Sequence, residues 1–191
     1  MTARARVTLG LVVLGAWVVL VVDKALHGLL PEALWCCPMG QLLLGLGLVA
    51  AWPGLASAGT AWLAYGVPLW VIGLAAGEVM RPPSWFTHLG APLIGVVAAR
   101  GLGVPRGTWW RATLGLVALQ AATRLFTPPE FNVNLAHAVY PGWEGLFPTY
   151  AAYYLFMLAC GAGACLVAEQ ALRRVVARRP EEEAPCAACP P

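Results

Sequence analysis

Charge is what this chain has least of. Among its 191 residues, 12 are Lys or Arg and 9 are Asp or Glu, 11% together, against about 25% in ordinary soluble domains. That is too little to cover a soluble globular surface. A net charge of +3 provides no field for a polyanion, so no nucleic-acid partner is expected. Histidine is also scarce, with three in the chain. No G-x-S-x-G stretch marks a nucleophile elbow, and no Cys/His spacing matches a closed zinc pattern. Internal repeats and a second folded domain are not visible either.

Apolar residues take up the space that charge leaves. The set AVILMFWYC makes up 60% of the chain and mean hydropathy is +0.70, which excludes disorder and points to an integral membrane protein. A membrane span needs roughly 20 apolar residues, fewer where flanking side chains snorkel. Val7 to Val22 is the first uncharged run. Ala33 to Gly77 is long enough for two spans, with a turn expected at Pro53-Gly54 and Ser57 to Thr60. Pro82 to Ala99 follows, then Ala112 to Thr123, extended by Trp109, Trp110 and Arg111, then Gly145 to Ala168. The expected fold is an all-α, polytopic bundle of six transmembrane helices over residues 1–179. Residues 180–191, acidic and Pro-rich, are expected to be a disordered cytoplasmic tail.

Lys/Arg asymmetry sets the orientation. With the N-terminus inside, nine basic residues fall on the inner side: Arg4, Arg6, Arg100, Arg106, Arg111, Arg173, Arg174, Arg178 and Arg179. Lys24, Arg81 and Arg124 fall outside. Both termini are therefore expected in the cytoplasm, with Trp52, Trp62, Trp109 and Trp110 at the inner boundary and Trp35, Trp85 and Trp143 at the outer. Arg4 and Arg6 before an apolar run resemble a signal peptide. No small-x-small cleavage site follows, so the first helix is expected to be retained.

This topology gathers the chemically useful residues on the outer half. Asp23, His27, Glu32, Glu78, His88, Glu130, His137 and Glu144 all lie there. Cys36 and Cys37 are expected about one turn into the second helix, and Gln120 and Arg124, four apart, share one face of the fifth. Polar groups at membrane depth are costly unless they face a protein-lined cavity, so a polar pocket opening outward is expected. Charges at helix ends also serve as plain interface anchors. Buried cysteines also serve as compact apolar groups, and Gly73 and Gly77 have the spacing of a small-residue helix contact. His88 is harder to assign to packing, because an imidazole at this depth needs a partner and carries protons near neutral pH. His137 sits in an uncharged, apolar loop that is expected to cap or re-enter a cavity.

Three chemistries fit this set. Acyl transfer or hydrolysis on a membrane lipid would use Cys36 or Cys37 as nucleophile and His88 as base. Asn132, Asn134 or Gln120 would supply amide donors, Arg124 would hold a phosphate headgroup, and no cofactor would be needed. Thiophilic metal handling would use Cys36, Cys37, Met39 and imidazoles, with Cys186 and Cys189 in the tail as receivers. Thiol exchange at Cys36-Cys37 would need a redox partner. A noncatalytic membrane protein is the plain alternative.

From Leu30 onward the order of features resembles the YwaF-like family of bacterial integral membrane proteins. That family is similar to eukaryotic membrane acyltransferases and to the androgen-induced lipid hydrolases. Leu30-Pro31 leading to Cys36-Cys37 looks like the start of the family's nucleophile helix, and Ser84-Trp85-Phe86-Thr87-His88-Leu89-Gly90 like its aromatic-rich His-Gly helix start. Gln120, Phe131-Asn132 and Phe147-Pro148 stand where the family has its polar amide, its Asn turn and the opening of its last helix. Trp35 and Cys37-Pro38 stand where it has His and Asp beside the cysteine. The resemblance covers roughly residues 30 to 170. It implies an intramembrane Cys/His pair acting on lipid in a bacterial inner membrane, with Cys36 or Cys37 and His88 as that pair.

Overall fold

A computed structural model describes residues 1–177, so Cys186, Cys189 and the acidic tail lie outside the described residues. Among these residues the regular secondary structure is all helical, with no strand. Helix α1 spans Ala3–Leu26, α2 Cys36–Val49, α3 Pro53–Ala75, α4 Pro82–Trp85, α5 Ala91–Leu102, α6 Thr108–Phe126 and α7 Tyr150–Ala177. A π turn, Phe86–Gly90, joins α4 to α5 without a break, so these three pieces form one rod and the rods among the described residues number six.

Three helices, α1, α3 and α7, are long and apolar enough to cross a membrane. At 1.5 Å per residue they reach about 36, 34 and 42 Å, beyond a hydrocarbon core of about 30 Å. Helix α2 is apolar but has only 14 residues, preceded by a 3-10 turn at Leu30–Leu34. Helix α6 is longer than the uncharged stretch at its centre, because Trp109, Trp110 and Arg111 at one end and Arg124 at the other are all helical.

Helix α3 is the centre of the packing. It runs against α2 so closely that a β-carbon on Gly40 would stand 2.9 Å from the Gly59 carbonyl oxygen, and Gly47 meets Ala56 in the same way. Small residues let the two backbones approach this closely. Trp62 donates its indole N–H to Ala112 O of α6 at 2.9 Å. Glu169 of α7, 6% exposed, accepts from the amides of Gly107 at 3.1 Å and Trp109 at 2.8 Å. A carboxylate from another helix thus satisfies the orphan donors at the start of α6 and complements its dipole. At the same end of the bundle, Arg6 of α1 donates to the carbonyls of Leu48 and Val49 that finish α2.

Several sequence expectations are corrected here. Ser57 to Thr60 is no turn: these residues lie inside α3, with Ser57 and Thr60 buried. Thr60 returns its hydroxyl hydrogen bond to Ala56 O at 2.8 Å, which removes its need for water. The break between α2 and α3 is Ala50 to Trp52. Gly77 makes no helix contact; at φ 85° it is the left-handed residue that stops α3, a conformation glycine adopts without steric cost. The last helix begins at Tyr150, because Pro148 precedes it and Glu144–Leu146 forms its own 3-10 turn.

Candidate functional site

Cys36 and Cys37 are the first two residues of α2, rather than one turn into it. Trp35 is extended at φ −56°, ψ 148° and ends the preceding 3-10 turn, and Pro38 fits the first helical turn, where no intrahelical N–H is lost. Asn134, from the loop between α6 and α7, locks this start in place. Its Oδ1 accepts from the Cys36 amide and its Nδ2 donates to Leu34 O, both at 2.7 Å. The Cys37 amide lies among the first-turn N–H groups that helix geometry leaves without an intrahelical acceptor. The two sulfurs are 3.8 Å apart.

The π turn positions His88. The wider π turn carries the neighbours Thr87 and His88, both buried, toward the inside of the bundle. Thr87 donates to Gln41 Oε1 at 2.6 Å, and Gln41, fully buried on α2, donates to Val13 O of α1 at 3.0 Å. The His88 ring stacks on Trp70 of α3 with centroids 4.9 Å apart and planes 9° from parallel. Its Nδ1 lies 2.8 Å from the Ser84 carbonyl oxygen. A carbonyl can only accept, so Nδ1 carries the proton and Nε2 keeps its lone pair.

Cys36, Cys37, Thr87 and His88 face one open cavity of about 270 Å³, lined by residues of α1, α2, α3, the π turn and the loop before α7. Three residues at i, i+4 and i+7 on α3 measure it out: Gly66, Trp70 and Gly73. The Cys37 sulfur sits against Gly66, the His88 ring against Trp70, and the Glu78 carboxylate against Gly73. By helix rise, thiol and imidazole are seated about 6 Å apart along α3, and the carboxylate about 10 Å from the thiol. No hydrogen bond joins either thiol to His88 among the described residues.

The loop before α7 forms one side of the cavity. Leu135, Tyr140 and Trp143 line it, and Tyr140 donates to Glu78 Oε1 at 2.6 Å, a bond to a carboxylate that raises the phenol above its ordinary range. Asn132, Asn134 and Leu135 all have positive φ. Asparagine tolerates this readily, leucine does not. Leu135 is held there by Tyr150, whose hydroxyl donates to its carbonyl at 3.0 Å, and by burial under Trp143 and Tyr153.

The chain matches no protein-family model, no curated protein and no solved structure. Its site is therefore judged on its own chemistry.

The structure brings together Cys36, Cys37 and His88 on one cavity wall. Gln120 and Asn134 line a separate space of about 40 Å³ behind Cys36, room for one or two waters. The other expected contacts are tied to backbone. Asn132 accepts from the amides of His137 and Ala138 and donates to Ala138 O. Gln120 donates to Asn134 O at 3.3 Å. Arg124 donates to Ala136 O and lies over the Tyr150 ring. His137 lines neither space, and its Nε2 is buried without a hydrogen-bond partner. Among the described residues, no three His, Cys, Asp or Glu side chains gather as metal ligands, and Met39 packs into the apolar core. Gln41, Trp70, Glu78 and Tyr140 are site residues that sequence reasoning missed. Gln41 had a signal: it is a lone amide within an uncharged run, where a polar group at membrane depth needs a purpose.

Proposed function

We propose that this chain is a multi-pass membrane enzyme that transfers or hydrolyses an acyl group on a lipid, with a cysteine nucleophile and His88 as base. The observation that carries it is the shared cavity: two thiols at a helix start, and an imidazole whose free nitrogen is fixed by the Ser84 carbonyl. The thiols are buried, and the positive end of the α2 dipole offsets that burial for a thiolate. Cys37 is the better candidate, since its sulfur shares the α3 stripe with His88.

In the first step His88 Nε2 takes the thiol proton, directly or through one water, as sulfur attacks the acyl carbonyl. The carbonyl oxygen becomes an oxyanion beside the start of α2, where the Cys37 amide is the donor left over once Asn134 has taken the Cys36 amide. Collapse breaks the bond to the leaving oxygen, which takes the proton back from His88, and leaves a thioester. Water or an acceptor nucleophile then attacks the thioester by the same exchange, releasing the acyl group and restoring the thiol. Asn134 is a positioning residue here, because it fixes where α2 starts. The resemblance to the YwaF-like family and the apolar length of α1, α3 and α7 support the same reading.

The test is labelling of detergent-purified protein by a reactive acyl ester. Labelling should vanish in Cys37→Ala or Cys36→Ala and slow by at least about 100-fold in His88→Ala, the usual worth of a general base. Unchanged labelling in all three variants would refute the enzymatic reading.

A further inference from the structure

The cavity's charge and walls say what it takes in. Lys24 lines it, and its ammonium is 2.6 Å from Glu32, which lines it too. Arg81, just outside, binds Asp23 through two nitrogens, one at 2.7 Å. Arg124, the cation expected to hold a phosphate, is committed to Ala136 O and the Tyr150 ring on another side of the loop. Of these three cations only Lys24 lines the cavity, and Glu32 matches it. Glu78 is not matched: among the described residues its carboxylate has a phenol donor, Tyr140, and no cation. The lining thus carries one surplus negative charge.

Glu78 itself is exposed, at the edge of the cavity. The aromatic side chains Trp35, Trp70, Tyr140 and Trp143 line the same cavity, and aromatic rings attract a cation by their quadrupole. An anionic head would meet a carboxylate and aromatic rings, with no free cation in the lining to hold it. An alkylammonium would meet a counter-ion and aromatic rings.

We propose that the cavity binds an amphiphile with a cationic amine head, the ammonium seated between Glu78 and the aromatic walls and the rest of the molecule reaching toward Cys37. The inference rests on the preceding reading for the meaning of the thiol end, and it names the substrate class. The roughly 10 Å along α3 from Glu78 to Cys37 lets one molecule present its head to the first and a reactive carbon to the second. Both a simple long-chain amine and a zwitterionic phospholipid carry this head.

Isothermal titration of the full chain in a neutral glycosidic detergent separates these cases, using hexyltrimethylammonium, hexylphosphocholine and hexyl sulfate. The first or second should bind at least about fivefold more tightly than the sulfate, and whichever of the two is tighter identifies the source. Glu78→Gln should remove most of that preference. Hexyl sulfate binding as tightly as the cations, or a Glu78→Gln protein with the full preference, would overturn the proposal. The preference in the unmodified chain decides the matter even if the variant does not fold. Ammonium selectivity in a protein whose thiols resist the acyl ester would leave this inference standing and remove the enzymatic one. Labelled thiols without the selectivity would do the reverse.

Discussion

Gly66→Ala is the sharpest perturbation of the site. A β-carbon at Gly66 would stand 1.9 Å from Cys37 Sγ and 3.4 Å from Cys37 Cβ. Ordinary contact is about 3.5–4.0 Å, so the sulfur must give way by roughly 2 Å while the rest of Cys37 stays. Sulfur hangs on one rotatable bond, and rotation to another staggered well relieves the clash without moving a backbone. The stability cost should therefore lie near the low end of overpacking, about 1 kcal/mol. The cost to chemistry is larger, since displacing a reacting atom by about 1 Å already lowers rates by about 100-fold. The assay is the rate of Cys labelling by the acyl ester, measured beside a thermal melt in the same detergent. Gly163→Ala on α7, where a β-carbon meets nothing within 4 Å, is the control and should label like the unmodified chain. A folded Gly66→Ala protein that labels at the normal rate would refute the assignment of Cys37 as nucleophile.

Asn134→Ala should lower stability by about 2–3 kcal/mol, because it removes two 2.7 Å bonds and leaves a partly buried amide and carbonyl unpaired; an unchanged melting temperature would contradict the locking role. Tyr140 supplies a pH test with a definite sign. Its pKa is raised by the bond to Glu78 and the repulsion a phenolate would meet there. The latch it forms is thus complete below the ordinary tyrosine value of about 10 and lost as pH rises through the higher folded value. Tyrosinate absorbance should show a late-titrating group that is missing in Tyr140→Phe, and identical titrations would show that the latch carries no such linkage.

The helices were legible in the sequence because charge marks their ends and apolar length their middles. Where that reading slipped, backbone chemistry had a local answer that composition does not display. Thr60 closes a bond to its own helix, so a Ser/Thr cluster could sit buried in α3 where a turn was expected. Cys36, Cys37 and His88 were singled out because thiols and imidazoles are rare and expensive at depth, and they do line one cavity. The amides were misplaced for an equally physical reason. Asn132 and Asn134 look like free donors in a sequence, but Asn132 is used up on the backbone of its own loop and Asn134 on the backbone that starts α2. Glu78, Trp70 and Gly66 could not be grouped in advance. Their association depends on which face α3 turns to α2 and to the π turn, which no local pattern states.

The π turn at Phe86–Gly90 has one more consequence. A π turn amounts to a single residue inserted into an α-helix. Deleting one residue there would return the rod to unbroken α geometry and rotate Ser84 and Trp85 by about 100° relative to α5, one residue's share of a 3.6-residue turn. The rod would still be helical and its apolar content unchanged, yet Ser84, Thr87 and His88 could no longer keep their present partners together. In this fold a length change of one codon is therefore a way to silence the site while sparing the bundle, and homologous chains that lack the extra residue should be sought among those that have kept the architecture and lost the chemistry.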